Sequence, residues 1–372
     1  MEFKPNWEQT KQHFLAFWEA QNEERALIAV SAPNHLFDAT YYHETFGIER
    51  FADDDHASIR HWWCDVEENV KRKEYIFQTT HFAGESLPIA FTNWGAMAMC
   101  SFFACEPVFN KESVWYHKVI HDWETWQWQF DAGTNEYFKI THDITKAFAE
   151  NGVDRYFAGM PELGDAGDVL SLIRGMDDLC LDMYDHPETL QFAIDYLTTQ
   201  FLKCQDILYE VIKPTNDGGG TLPWMNLWMP GKNGNQLACD FSWVISNHDF
   251  QRFFTDMIQR EAAWSDYATY HVDGPMCMKN HLDWILEFDN IKAIEWTPGE
   301  GSPPSTSPDY FSVYQKILKK GKRLVIAAHA EEVDTLTKEL PPEGLFIRTW
   351  ADTQEQAEQL VSIAAQNAKL HK

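Results

Sequence analysis

Apolar positions fall most regularly in the last third of the chain. Four short apolar runs of strand length, DYATYHV (266–272), IKAIEW (291–296), RLVIAA (323–328) and LFIRT (345–349), alternate with segments of helical spacing. Those segments are MKNHLDWILEF (278–288), PDYFSVYQKILKKG (308–321), EEVDTLTKEL (331–340) and TQEQAEQLVSIAAQNAKL (353–370). Near-continuous apolar strands separated by amphipathic helices predict parallel strands covered by crossovers. Four consecutive units predict half of a (β/α)8 TIM-type barrel more readily than a doubly wound sheet.

Upstream the pattern is noisier. RALIAVSA (25–32), ESLPIAFTNWG (85–95) and DRYFAGMPELG (154–164) read as strands, and 165–186 and 187–212 as helices. The loop-like stretches KPTNDGGGTLP (213–223), MPGKNGNQ (229–236) and TPGEGSPPSTSPD (297–309) are too short to tether domains. The expectation is one α/β domain over residues 1–372. Residues 1–80 would supply an N-terminal helical extension and the first strand.

Composition narrows the function. Of 372 residues 44% are hydrophobic and 15% aromatic, enough for a large core. The 30 basic and 57 acidic residues leave a formal charge of −27, which repels phosphate backbones and anionic lipid. Nucleic acid and membrane partners are therefore not expected, and a small molecule is. The seven cysteines form no CxxC pair, and the opening MEFKPNWEQTKQHF carries no apolar run. A reducing cytoplasm is the expected location. No Walker loop, GxGxxG, GxSxG or HExxH is present.

In a barrel of parallel strands, chemistry gathers at the strands' C-terminal ends. Those ends carry His271 and Asp273, then Glu295 and Trp296, then His329, then Thr349 and Trp350. His271 also fits a core histidine bonded to a carbonyl, and Asp273, before Gly-Pro, fits a turn former. Glu295 interrupts an apolar strand, where an unpaired carboxylate would cost several kcal/mol, so it needs a partner or a metal. Farther upstream, Asp165, Asp168 and Arg174 cluster at a strand-to-helix transition, where helix capping and an internal ion pair are the plainer reading. Asp240 follows an apolar step. Trp94, Trp224 and Trp228 flank loops and would wall a pocket, although most of 16 tryptophans must be core.

Several stretches together resemble the uroporphyrinogen decarboxylase superfamily. They are ESLPIAFTNWGAMAMCSFFACEPVF, PELGDAGDVLSLIRGMDDLCLDMYDHPE, LACDFSWVISNHDFQRFF, YHVDGPMCMKNHLDWILEFDNIKAIEWTPGEG and GLFIRTWADTQEQAEQLV. The resemblance implies a (β/α)8 barrel with its site at the C-terminal mouth. It also implies either tetrapyrrole decarboxylation or methyl transfer with zinc and a methylated corrinoid. The decarboxylases grip their substrate with an Arg-rich N-terminal segment; here RALIAVSAPNHLFDATYYH offers only Arg25. The methyltransferases hold zinc through a His-x-Cys pair, a later carboxylate and a distant cysteine. His271 matches the histidine, Asp273 replaces the first cysteine, Glu295 falls where the carboxylate belongs, and Thr349 stands near the last cysteine.

On that resemblance His271, Asp273 and Glu295 would hold Zn²⁺ or another divalent ion, with His329 as fourth ligand. Such a set without sulfur makes a harder, more electrophilic metal. The expected activity is methyl transfer from a small O- or N-methyl compound to a corrinoid protein or a thiol. Asp240 and His271 would act on the substrate. Trp94, Trp224, Trp228, Trp296, Asp165, Asp168 and Arg174 would bind it, and a homodimer would be unsurprising. Two rival expectations remain: a metal-free carboxy-lyase using Asp240 and His271, and a barrel that binds carbohydrate or another neutral ligand without turnover.

Overall fold

Twelve strands appear in a computed structural model of the protein, which describes residues 1–274, 281–299 and 301–371. In chain order they are β1 (Leu27–Pro33), β2 (Thr80–Gly84), β3 (Ile89–Ala90), β4 (Val108–Phe109), β5 (Val114–Trp115) and β6 (Phe157–Ala158). The rest are β7 (Gly219–Leu222), β8 (Leu227–Pro230), β9 (Ala268–Asp273), β10 (Ile291–Thr297), β11 (Arg323–Ala327) and β12 (Leu345–Trp350). One six-stranded sheet runs β2-β1-β12-β11-β10-β9. All its pairs are parallel except β1 with β2.

The four C-terminal strands thus lie side by side as their apolar pattern predicts. Around them β3 pairs with β6 in parallel, and β7 with β8 as a hairpin. Among the described residues these pairings do not form an unbroken ring; the architecture shown is a mixed α/β fold around a mostly parallel sheet. No helix among the described residues is long and apolar enough to cross a membrane.

Strand residues alternate between two faces. Ile28, Val30, Ile294, Trp296, Leu324, Ile326, Leu345 and Ile347 belong to the large core shared with the covering helices. Leu27, Ala29, Ala293, Val325 and Phe346 face the other way. There they meet Trp7, Phe14, Trp18 and Trp228 in a second core. Both faces are apolar because both are covered, which is why the strands read as continuous runs rather than alternating ones.

Two expectations change. The stretch 165–186 is two helices, Ala166–Arg174 and Met176–Asp185, broken at Gly175, whose φ of 89° no helix accommodates. The expected loops around 213–236 hold the β7–β8 hairpin, turned through Asn226 at φ 57°, which also bonds the backbone N–H and C=O of Leu87. In the helix expected at 278–288, residues 278–280 lie outside the described part.

Candidate active site

Parity decides what stands at the sheet's C-terminal edge. Glu295 lies two residues beyond Ala293 on the inner face, and it pairs in register with His271 on β9. The Glu295 side chain is fully buried. Its Oε2 bonds His271 Nδ1, and its Oε1 accepts the Thr297 hydroxyl at 2.9 Å. The partner demanded for a carboxylate inside an apolar strand is therefore the histidine. With Nδ1 engaged by Glu295, Nε2 is the imidazole nitrogen that faces Asp240.

A cavity of about 320 Å³ opens at His271. Asp240 Oδ1 stands 3.9 Å from His271 Nε2, and Trp224 meets the imidazole edge-on with centroids 5.6 Å apart. Residues 236–240 follow β9: Leu237 bridges Tyr270 in parallel, so Gln236, Ala238 and Asp240 alternate onto the cavity side. Gln236 accepts the Trp224 indole N–H at 2.8 Å and fixes that ring.

The opposite wall comes from the segments after β3 and β6. Glu162 and Asp165 line it from one, Phe91 and Asn93 from the other. Gly164, at φ 78°, lets the two meet; a Cβ there would stand 2.5 Å from Met97 Sδ. Glu162 was passed over in the sequence although it sits in the quoted PELG. The usable signal is its place, four residues beyond the apolar pair Phe157–Ala158. Burial, with Glu295 and Asp240 adding to it and His271 opposing, pushes the Glu162 carboxyl up to about 7.

Asp165 and Asp168 do what helix entry predicts. Asp165 Oδ1 caps the helix by accepting the N–H of Gly167 and Asp168, at 2.8 and 3.1 Å. Asp168 accepts the N–H of Asp240 and Phe241, at 2.8 and 2.7 Å, and so holds the turn that carries Asp240. Burial and the neighbouring Asp168 raise the Asp165 carboxyl well above the carboxylate range.

Other expected binding residues lie elsewhere. Arg174 is clamped on Asp182, at 2.7 and 3.1 Å, and donates to the carbonyls of Ile120 and His121, an internal staple rather than a substrate contact. Trp296 falls on the helix-covered face by parity and packs on Tyr310 and Tyr314. Trp228 lies in the inner core against Trp7, its indole N–H on the Asn216 carbonyl at 3.0 Å. Trp94 is buried edge-on against Phe109, behind the loop whose Asn93 and Gly95 reach the cavity.

Of the expected metal ligands, the described residues bring His271 and Glu295 together and leave His329 apart. Glu295 has one oxygen on the imidazole and the other on the Thr297 hydroxyl, so it orients His271. His329 is exposed in a separate depression beside Glu332 and Trp350. The Asp273 side chain lies outside the described part. Among the described residues the three-donor group within 4.8 Å is Asp165, Asp168 and Cys239, under the N-terminus of a helix. That is the positive end of the helix dipole, a poor seat for a cation.

No protein-family model matches this chain, and no curated protein matches its sequence. Solved structures do: ten chains match, among them a methyltransferase from Methanosarcina mazei. Its TM-score is 0.61 at 12% identity, over 96% of this chain and 98% of that one. The likeness is one of fold. The superfamily membership read from the motifs is thus carried by no family model, while the α/β architecture has a solved counterpart over nearly its whole length.

Proposed function

We propose that the protein is an enzyme that moves a methyl group from a small O- or N-methyl compound to a nucleophilic acceptor, a corrinoid protein or a thiol. The observation that carries this is the buried Glu295–His271 pair facing, through Nε2, a small cavity beside Asp240. The likeness in fold to a methyltransferase supports the reaction class without assigning it.

Each residue then has a task. When the bond from methyl carbon to heteroatom breaks, its electron pair stays on the heteroatom, and the acceptor's pair makes the new bond to carbon. Where the departing atom is an alkoxide oxygen, it needs a proton, and His271 Nε2 is placed to give it while Glu295 stabilises the imidazolium. Asp240 and Glu162 set the electrostatics at that atom. A carboxylic acid substrate, as a lyase would require, meets four acidic side chains in the wall, Glu112, Glu162, Asp165 and Asp240, and this disfavours the lyase.

We also read the six-stranded sheet and the β3–β6 pair as arcs of one (β/α)8 wall. Residue 237 extends it at β9, and the Ser31–Ser86 hydroxyl bond at 2.7 Å links its other end toward β3.

The test offers purified protein a panel of O- and N-methyl donors with reduced corrinoid or thiol acceptor, following donor loss by NMR. Turnover with at least one donor is expected, falling about 100-fold or more in His271→Gln. No turnover with any pair, or an unaffected variant, overturns the reading.

A further inference from the structure

Two properties of the cavity wall go together. Its flat faces are aromatic, Trp63, Phe91 and Trp224, and Phe91 already has Lys73 Nζ over its ring at 5.4 Å. Two of these rings are held by their indole N–H groups, Trp63 on the Asn110 carbonyl at 2.8 Å and Trp224 on Gln236. Its charged lining is of one sign, and among the described residues no Lys or Arg contributes to it. Aromatic faces attract cations through the ring quadrupole, most strongly where water is displaced, and N-methylated cations are well suited to them.

The acidic groups beneath are poorly compensated in the absence of a ligand. Asp165 is 1% exposed, yet its Oδ2 meets no hydrogen-bond donor among the described residues. Glu162 makes no ion pair with a Lys or Arg among them; burial, Glu295 and Asp240 raise its carboxyl, and His271 only partly opposes them. Buried carboxylates held together in this way destabilise a fold unless a cation or a proton joins them.

We propose that the cavity takes a small N-methylated ammonium cation, in preference to a neutral methyl ether or alcohol. The aromatic rings would face the N-methyl groups, and Glu162 and Asp240 would balance the charge. This rests on the methyl-transfer reading only for the fate of the ligand; what binds is argued from the wall. The chemistry is also simpler with such a donor. When the carbon–nitrogen bond breaks, its pair neutralises the positive nitrogen, so the amine leaves uncharged and no proton must be supplied. His271 Nε2, with Nδ1–H donated to Glu295, then accepts an N–H of a protonated amine and holds the donor in line for transfer, so the pair keeps its part in the reaction.

Calorimetric titration of the whole protein at pH 8 tests the proposal with choline, trimethylammonium and 3,3-dimethylbutan-1-ol, the uncharged carbon analogue of choline. The cations should bind about tenfold or more tightly than the alcohol. Glu162→Gln and Trp224→Leu, checked for folding by circular dichroism, should each remove most of that difference. Equal binding of alcohol and choline, or no saturable binding of either cation at millimolar concentration, overturns it. Because this readout needs no turnover, the two ideas fail separately. Cations that bind but donate no methyl sink the reaction and keep the ligand class, while transfer from a methyl ether without cation binding does the reverse.

Discussion

His271 and Glu295 stand opposite each other on adjacent parallel strands, and the carboxylate grips the imidazole through Nδ1 from a fully buried position. Two consequences follow from one bond. The ring cannot rotate, and its outward nitrogen is fixed as Nε2. Glu295→Gln keeps the shape but removes the charge and can present an amide N–H to Nδ1, inverting the tautomer. Methyl transfer should fall by about 10²–10⁴-fold with little change in KM. An NMR spectrum of the His271 ring should show its proton moved from Nδ1 to Nε2 in the variant. A variant that retains full turnover would show that the pair is structural.

Glu162 gives the cavity a pH dependence of defined sign. Its carboxyl titrates at about 7 rather than 4.5, raised by burial and then by Glu295 and Asp240 against His271. Below about pH 7 it is neutral, so affinity for a cation should rise as pH increases through 7 and level off above, with a proton released on binding. Stability runs the other way. The folded state holds this proton more tightly than the unfolded chain, so its contribution falls as pH climbs from about 4.5 through 7. Glu162→Gln should therefore raise Tm at pH 8, leave it nearly unchanged at pH 4, and flatten the affinity profile. A Tm shift of equal size at both values would remove the assignment.

How much of this the sequence disclosed depends on what kind of signal each residue left. The C-terminal strands were legible because each is a short apolar run bounded by turn residues, and Glu295 because a carboxylate inside such a run demands a partner. Strand parity was equally available. Trp296 adjoins Glu295 and must point to the other face, so it could have been assigned to the helix-covered core at once. By contrast β3 and β6 have two paired residues each, too few to show a period. The β7–β8 hairpin hides in glycines that look like a loop, since Gly219 and Gly220 are there to let Trp228 and Asn233 pack against the backbone. Trp94, Trp224 and Trp228 are alike in composition and differ only in what surrounds them after folding. Arg174 carried an ion-pair signal, and it is the structural reading of that signal that the fold adopts.

The tryptophans consequently separate by experiment. Trp224 lies at the cavity beside His271, half-buried, whereas Trp228 is 1% exposed in the inner core between Trp7 and Phe14. Trp228→Ala should lower stability by about 3–5 kcal/mol through the space it leaves, read as a fall in the midpoint of urea unfolding. Trp224→Ala should leave that midpoint within about 1 kcal/mol and weaken ligand binding instead. If the two swapped behaviours, the cavity would have been placed on the wrong side of the β7–β8 hairpin.

Arg25 separates stability from chemistry at the opposite end of the sheet. It lies just before β1, remote from the strand ends that carry His271, and binds Glu85 through two nitrogens at 2.7 and 2.5 Å. His13 Nδ1 at 2.8 Å and the Ile28 N–H at 2.9 Å complete the set. Burial alone would raise the Glu85 carboxyl, but these partners outweigh it and bring it down to about 2. A depressed acid contributes stability that is fully present above its unfolded value and lost as pH falls through the folded one, so the window runs from about 4.5 down to about 2. Glu85→Gln leaves a buried guanidinium without its anion and should destabilise by about 3–5 kcal/mol at pH 7, with the difference from the parent shrinking as pH drops through that window. Ligand affinity measured well below the variant's unfolding temperature should be unchanged. A loss of affinity there would mean that Arg25, the one arginine of its segment, reaches the site after all, and would reopen the case for an anionic substrate.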